Sequence, residues 1–444
     1  MEMKEYPKLL IISRGVWDDT KGTSSTLTNL FEDYDPEKLA HIYIESIVPN
    51  TKCCHRFYQI SEFSLIHKLY KWNTRTGFAF DTESKKIDAA DSKLAENEVA
   101  TMDYVRGHRS IWFSFAREIL WAFNGWKSKE LKQFISDFDP DVVWMDGSPL
   151  PLMNKLYLYI LKVVKCPAVI FLQDDVYTYK SCRKQFGSRI YKYLLRREVK
   201  KVVEKCNHVF VASPKMKQEY DSLFDINSSF IAKSVKVENL RNSEYKLHNP
   251  LRMVYLGQVI YGRIYSLIDI AESLKKINAN GIKVQLFVYT NNNISDDLKQ
   301  RLLVKDSVFL MPSVPYYEVS KVMSQNDVVV FVESFQPDHC NIARLSFSTK
   351  ICDYLSSGKC IFAVGPHSIA PIEYLKDEDA AVVANSKEDI ERQLYNIINQ
   401  RFVSEYANRA FRCVRKNHDR NMMDTLVYGK LIELNSERHK NEKN

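Results

Sequence analysis

Short apolar runs alternate along the chain with longer stretches in which apolar positions recur every three or four residues. Lys8–Ser13 (KLLIIS) predicts a buried strand, and the loop Arg14–Thr23 that follows holds two glycines and two aspartates. Ser24–Phe31 then predicts a helix with hydroxyl residues at its start. Val142–Met145, Pro167–Leu172 and His208–Ala212 predict further strands, separated by helical stretches at Leu150–Val164 and Arg189–Cys206. Strands alternating with helices indicate a parallel α/β sheet.

Residues 235–250 are polar and charged, and predict a linker (236–250) after a first domain, 1–235. The alternation then restarts. Strands are expected at Met253–Leu256, Val284–Tyr289, Asp327–Val332 and Cys360–Val364. Helices are expected at Ser266–Ile277, Tyr317–Ser324, Ser348–Ser356 and Lys387–Gln400, with Gly358 stopping the third. A second domain therefore spans 251–401, and 402–444 reads as a helix running into a charged tail. The fold class is α/β: two Rossmann-like domains with parallel sheets facing across a cleft. Ligands of such sheets bind at the carboxyl ends of the strands.

Composition narrows the picture. Of 444 residues, 45% are hydrophobic and 27% charged, which excludes a disordered chain. No uncharged apolar stretch reaches the ~18 residues of a membrane span, and no signal-peptide core is visible at the N-terminus. Nine cysteines without a CxxC argue against a zinc ribbon or a disulfide framework, and fit reduced thiols in a cytoplasm. The net charge is +8, and Lys180–Lys205 alone, with ten basic and two acidic residues, accounts for it. A local patch suits an anionic membrane surface or a phosphorylated ligand better than a nucleic acid. Lys192, Arg196 and Lys200 are expected on one helical face and Arg197, Lys201 and Lys205 on the next, as membrane contacts. Trp112, Trp121 and Trp126, interleaved with Arg109 and Arg117, are expected to add interfacial anchoring.

In the second half the order of features becomes specific. Tyr255-Leu-Gly-Gln258 is followed by Gly262-Arg263, then by Pro312–Tyr317 (PSVPYY) and a strand ending at Glu333. Ser348-Thr-Lys-Ile-Cys-Asp-Tyr-Leu-Ser-Ser-Gly358, Gly365-Pro366 and Ala370–Leu375 complete the set. This succession resembles the nucleotide-sugar-binding domain of GT-B glycosyltransferases of the family-4-like group. Arg117–Trp121, Trp126-Lys-Ser, Asp139–Val143 and Gln173-Asp174-Asp175 resemble the acceptor domain of the same enzymes.

The resemblance implies transfer of a sugar from a nucleotide-sugar donor to a hydroxyl of a lipid-linked glycan, in surface-polysaccharide synthesis at the cytoplasmic face of a membrane. It implies no cofactor and no metal: cationic side chains and helix N-termini would neutralise the leaving diphosphate. Gly257, Arg263, Ser348, Thr349 and Lys350 correspond to donor-phosphate contacts, and Asp353 to the carboxylate that accepts two hydrogen bonds from the ribose diol. Gly22-Thr-Ser-Ser25 either brings a helix start to the donor phosphates or merely caps that helix. Asp174 and Asp175 follow a predicted strand, where one of them would serve as general base, orient the acceptor or cap a turn. Asp146 and His208 are lesser candidates there. Tyr316 and Tyr317 stand either by the base or in the core.

One departure is evident. The family usually carries two glutamates eight positions apart, the second at the Asp353 position. Eight residues before Asp353 stands Leu345, while Glu333 and Asp338 lie off that spacing. Two rivals use the same architecture: a nucleotide-sugar epimerase or hydrolase, and a catalytically silent subunit that binds a partner or a membrane. A dehydrogenase is disfavoured, since no GxGxxG follows a predicted strand.

Overall fold

In the strands of the second half, successive side chains enter two different cores. Met253 and Tyr255 pack with Val328, Val330, Val332, Phe362 and Val364 on one side of a sheet. Val254 and Leu256 pack with Val329, Phe331, Ile361 and Ala363 on the other. Burial on both faces is what continuous apolar runs in a parallel sheet require.

These packings come from a computed structural model of the chain, which describes residues 6–19, 25–82, 111–123, 125–182, 184–240 and 246–441. The chain divides into two compact units. The first comprises residues 1–212, 217–231 and 424–444. Its strands are β1 (Leu9–Ile12), β2 (Leu39–Tyr43), β3 (Arg56–Ile60), β4 (Gly77–Asp81), β5 (Val142–Asp146), β6 (Ala168–Leu172), β7 (His208–Val211) and β8 (Ser229–Phe230). They form one sheet in the order β4-β3-β2-β1-β5-β6-β7-β8. Every pairing is parallel except β3 with β4. Trp144 on β5 is fully buried, stacking on Phe210 at 5.4 Å and meeting Phe31 edge-on at 5.2 Å.

The second unit comprises residues 213–216 and 232–423. Its strands are β9 (Leu251–Leu256), β10 (Val284–Thr290), β11 (Val308–Pro312), β12 (Val328–Val332), β13 (Cys360–Val364) and β14 (Val382–Ala384). They are all parallel, in the order β11-β10-β9-β12-β13-β14. The chain order reverses at β9, which has β10 on one side and β12 on the other. Such a switch point leaves a crevice at the carboxyl ends of the two diverging strands.

The C-terminal segment is more integrated than a tail. The helix Gln400–Asn417 packs into the second unit, burying Val403, Ala410, Cys413 and Val414. The helix Arg420–Asn441 passes back into the first unit, where Leu431 is buried and the Tyr428 hydroxyl donates to the Leu30 carbonyl at 2.6 Å. Among the described residues no helix is long and apolar enough to cross a membrane.

Candidate functional site

The crevice between β9 and β12 gathers the charged residues of the second unit. β9 ends at Leu256, and Gly257 follows with φ +153°, its N–H donating to the Tyr289 carbonyl at 3.0 Å. The next turn closes at Gly262 (φ +73°), and the helix Arg263–Ile277 begins immediately after it. A Cβ at Gly262 would lie 2.5 Å from the Ser334 hydroxyl, so only glycine lets this helix start so close to the end of β12. The Ser266 hydroxyl, one turn in, donates to the Glu333 carbonyl at 2.7 Å and ties the two elements together.

Arg263 is thereby aimed at Glu333. Its Nε and a terminal nitrogen donate to the two carboxylate oxygens at 3.1 and 2.8 Å, a bidentate pair. Glu333 is buried. Burial opposes the Arg263 charge, but the Glu333 carboxylate outweighs it and holds the guanidinium above its usual range.

Lys350 enters from the other side. It is the first residue of the helix Lys350–Ser356, which starts two residues later than the sequence predicts. Its ammonium donates to the Leu256 carbonyl at 2.8 Å and lies 5.8 Å from the centre of the Tyr255 ring. Burial, with the Arg263 cation as the next cause, lowers it to about 8. Two cations thus face one buried carboxylate, leaving one surplus positive charge. The backbone N–H groups of Ser348, Thr349 and Lys350 have no partner among the described residues. An anion would find charge and donors together at this point.

Asp353 lies one turn further along the same helix. Its Oδ1 accepts from Lys233 at 2.6 Å, and Lys233 also donates to the Tyr316 hydroxyl at 2.9 Å. Burial opposes the Lys233 charge, but Asp353 prevails and raises its pKa. Lys233 and the Glu333 pairing are features the sequence reading does not assign. Tyr316 and Tyr317 are both exposed, so they are not core residues. Leu345 is fully buried, and its carbonyl accepts from the Ser213 hydroxyl at 3.0 Å.

In the first unit the two aspartates after β6 part company. Asp174 is exposed. Asp175 is buried and organises its own loop: Oδ1 accepts from the Thr178 N–H at 2.7 Å, the Tyr177 N–H at 3.2 Å and the Tyr220 hydroxyl at 3.1 Å. Oδ2 accepts from the Thr178 hydroxyl. Asp146 ends β5, beside β1, where this sheet in turn reverses its order. Burial raises its carboxyl to about 6, against a 3.1 Å hydrogen bond from Trp144. His208 is held at 3.0 Å from the Ser229 hydroxyl and burial lowers it to about 4, as for a packed histidine. Gly22 and Arg109 lie outside the described residues.

The basic helix needs correcting. Lys192 is not a membrane contact: it is buried, and its ammonium donates to the Asp175 carbonyl at 3.1 Å and the Ser181 hydroxyl at 2.8 Å. Burial lowers it to about 8. Arg196 is half-buried, stacked 4.1 Å from Tyr177 and 4.5 Å from Tyr179. Arg197, Lys200 and Lys201 are exposed, each beside a glutamate, Glu198 or Glu204. Trp121 and Trp126 are buried, so of the three tryptophans only Trp112 reaches solvent.

No model of a protein family matches the sequence, and no curated protein is detectably similar to it. Solved structures do share its fold. The E. coli trehalose-6-phosphate structure bound with UDP-2-fluoro glucose aligns over 96% of this chain and 98% of its own, at 9% identity and a TM-score of 0.60. The α,α-trehalose-phosphate synthase (UDP-forming) from Burkholderia xenovorans, in complex with glucose-6-phosphate, aligns over 96% and 99% at 11% identity and a TM-score of 0.58. TarM aligns over 68% of this chain at 15% identity and a TM-score of 0.50, and the match spans only 57% of TarM. The architecture is that of the GT-B glycosyltransferases, and at these identities the likeness is one of fold.

Proposed function

We propose that the protein transfers a glycosyl group from a nucleotide-sugar donor to a hydroxyl of a lipid-borne glycan, at the cytoplasmic face of a membrane. The observation that carries this reading is the surplus positive charge of Arg263 and Lys350 at the ends of β9 and β12. When the bond between the anomeric carbon and the diphosphate breaks, negative charge collects on the leaving group, and preorganised cations stabilise it. Arg263, Lys350 and the N–H groups of residues 348–350 take the diphosphate. Asp353, held through one oxygen by Lys233, offers the other to the ribose hydroxyls. The acceptor oxygen bonds to the anomeric carbon, and its proton passes to a carboxylate of the first unit. Asp174, by its exposure, and Asp146, by a pKa raised toward neutrality, are the groups suited to that role.

Two structures of the same fold are described with UDP-2-fluoro glucose and as UDP-forming, so UDP-sugars are the first donors to try. The lipid-borne acceptor rests on the resemblance of the N-terminal half and on the exposed cations Lys180, Lys184 and Arg189. A catalytically silent subunit that binds a partner or a membrane is the second reading, favoured by the buried Leu345 where the family carries a carboxylate.

A thermal-shift panel of UDP, GDP, ADP and their sugars tests the proposal. A ligand at 100 times its Kd stabilises the native state by about 2.7 kcal/mol. At least one diphosphate should raise the melting temperature of the wild type and none that of Lys350→Ala. If no nucleotide stabilises the wild type, or if the variant responds equally, the donor site is not here. A folded wild type whose melting temperature no nucleotide moves would favour the silent subunit.

A further inference from the structure

Lys233, which holds Asp353, lies in neither a helix nor a strand. A long, flexible side chain on irregular backbone gives up much conformational freedom to sit in one place. Its ammonium is nevertheless shared between Asp353 Oδ1 at 2.6 Å and the Tyr316 hydroxyl at 2.9 Å, with the side chain only 10% exposed. The backbone there is held from 185 residues further along, at the junction between the helices Gln400–Asn417 and Arg420–Asn441. His418 Nδ1 lies 2.9 Å from the Lys233 carbonyl oxygen. The Val235 N–H donates to the His418 carbonyl at 2.9 Å, and the Arg420 N–H to the Val235 carbonyl at 2.9 Å, forming a short parallel bridge.

His418 is fully buried, and burial lowers its pKa, so the ring carries a single proton at neutral pH. A carbonyl only accepts, which places that proton on Nδ1. Nε2 is then an acceptor, and it lies 2.9 Å from the Tyr374 hydroxyl. The Tyr374 oxygen in turn accepts from Asn417 Nδ2 at 3.0 Å, with the Cys413 thiol beside it at 3.4 Å. The three bonds run one way, from Asn417 to Tyr374 to His418 to the Lys233 carbonyl. Such a chain fixes both the tautomer and the plane of the ring. Phe347 backs the same group, stacked on His418 at 6.4 Å and edge-on to Tyr374 at 5.0 Å.

We propose that His418 is a positioning residue of the donor site: by gripping the Lys233 carbonyl it seats the ammonium on one oxygen of Asp353 and leaves the other for the ribose diol of the nucleotide. The inference rests on the reading of Asp353 as the ribose contact. His418 touches no substrate and acts only through Lys233. Without the imidazole the Lys233 backbone relaxes, and the ammonium no longer keeps its single-oxygen seat.

The experiment is titration calorimetry of the full chain with UDP, GDP and ADP, each against its 2′,3′-dideoxy form. Wild type should bind at least one of the three about tenfold more tightly than the dideoxy form, since the lost contacts are hydrogen bonds to a charged group. His418→Ala should reduce that ratio to about threefold or less, with affinity for the dideoxy form little changed. His418→Asn, whose amide nitrogen stands near the place of Nδ1, should restore it. Lys233→Met should lose the ratio as His418→Ala does, and the double variant should lose no more than either. If His418→Ala does not fold, Tyr374→Phe, which removes only the second anchor of the ring, carries the same test with a smaller loss. Acetylation of the unliganded protein, read by mass spectrometry, gives a measure free of nucleotide. Lys233 should react about tenfold faster in His418→Ala than in wild type or His418→Asn, while the buried Lys359 stays protected in all three. A wild type that binds none of the three, or does not distinguish ribose from dideoxyribose, defeats the ribose reading and the inference with it. A wild type that does distinguish them overturns the role of His418 alone if the folded His418→Ala keeps the ratio. Additive losses in the double variant, or equal protection of Lys233, would do the same.

Discussion

The ammonium of Lys350 occupies the space that a side chain at residue 257 would fill: a Cβ on Gly257 would lie 1.8 Å from it. The glycine therefore does two things. It adopts a backbone angle that other residues rarely reach, and it lets a buried cation rest against the end of β9. Gly257→Ala should cost about 1–3 kcal/mol in stability from backbone strain, and should also expel the ammonium from its seat. Affinity for the best-bound nucleotide diphosphate should fall at least tenfold, which titration calorimetry measures. Wild-type affinity in a folded Gly257→Ala protein would separate this position from the donor site.

The proposed donor site would carry a pH signature through Lys350. With its ammonium lowered to about 8, it is charged at neutral pH and loses its proton just above. A bound diphosphate favours the charged form, so affinity should be flat below pH 7 and weaken above 8, approaching tenfold per pH unit for one linked proton. Stability of the unliganded protein runs the other way. Between about 8 and the ordinary value of 10.5 the unfolded chain holds the extra proton, so this group makes the fold more stable as pH rises through that window. Calorimetry and urea melts at matched pH values check the two signs. Lys350→Arg should abolish the alkaline loss of binding, because arginine keeps its proton; an unchanged limb would assign it to another group.

Much of the fold is legible in the sequence. β9, β12 and β13 are uninterrupted apolar runs because both their faces are buried, and runs of that kind announce themselves. β2 does not, because His41 interrupts it. That imidazole is buried against the Ser13 hydroxyl at 2.8 Å, a partner 28 residues away that no local pattern records. The order of motifs singles out Arg263 and Lys350 as candidates, whereas Glu333 and Lys233 are drawn in only through long-range pairing, with Arg263 and with Asp353. Lys192 was readable in principle: it stands three, seven and ten residues before Leu195, Val199 and Val202, on the buried stripe of its helix. Its charge drew it onto the basic face, and only the acceptors on the Asp175 loop explain how the fold takes it inward.

The Arg263–Glu333 pair should separate binding from folding. Arg263→Ala leaves the buried Glu333 carboxylate without its cation, and removing one partner of a buried pair costs about 3–5 kcal/mol. The lower end is expected, since the Arg263 side chain is 23% exposed. Glu333→Gln keeps an acceptor for the guanidinium and removes the charge that offsets it. That variant should lose less stability and bind nucleotide diphosphate at least as tightly as wild type. A double-mutant cycle by urea unfolding gives the coupling, and calorimetry gives the affinity. Loss of diphosphate binding in a folded Glu333→Gln protein would make Glu333, rather than its surplus of neighbours, the binding group.

Three carboxylates of the first unit should respond to amide substitution in three ways. Asp175 accepts from two backbone N–H groups and two hydroxyls, so Asp175→Asn should lower stability by about 1–3 kcal/mol and reduce turnover only as far as the loop loosens. Asp146 carries a charge that burial disfavours, with its carboxyl raised to about 6. Its folded pKa lies above the ordinary 3.8, so protonation favours the fold as pH falls from 6 toward 4, and Asp146→Asn should be neutral or stabilising at pH 7. If Asp146 takes the acceptor proton, that same variant abolishes turnover, and the wild-type rate falls off below pH 6. Asp174 is exposed, so Asp174→Asn should leave the melting temperature unchanged. Turnover abolished in Asp174→Asn and intact in Asp146→Asn would move the proton to Asp174, while full activity in both would leave neither carboxylate a part in the reaction.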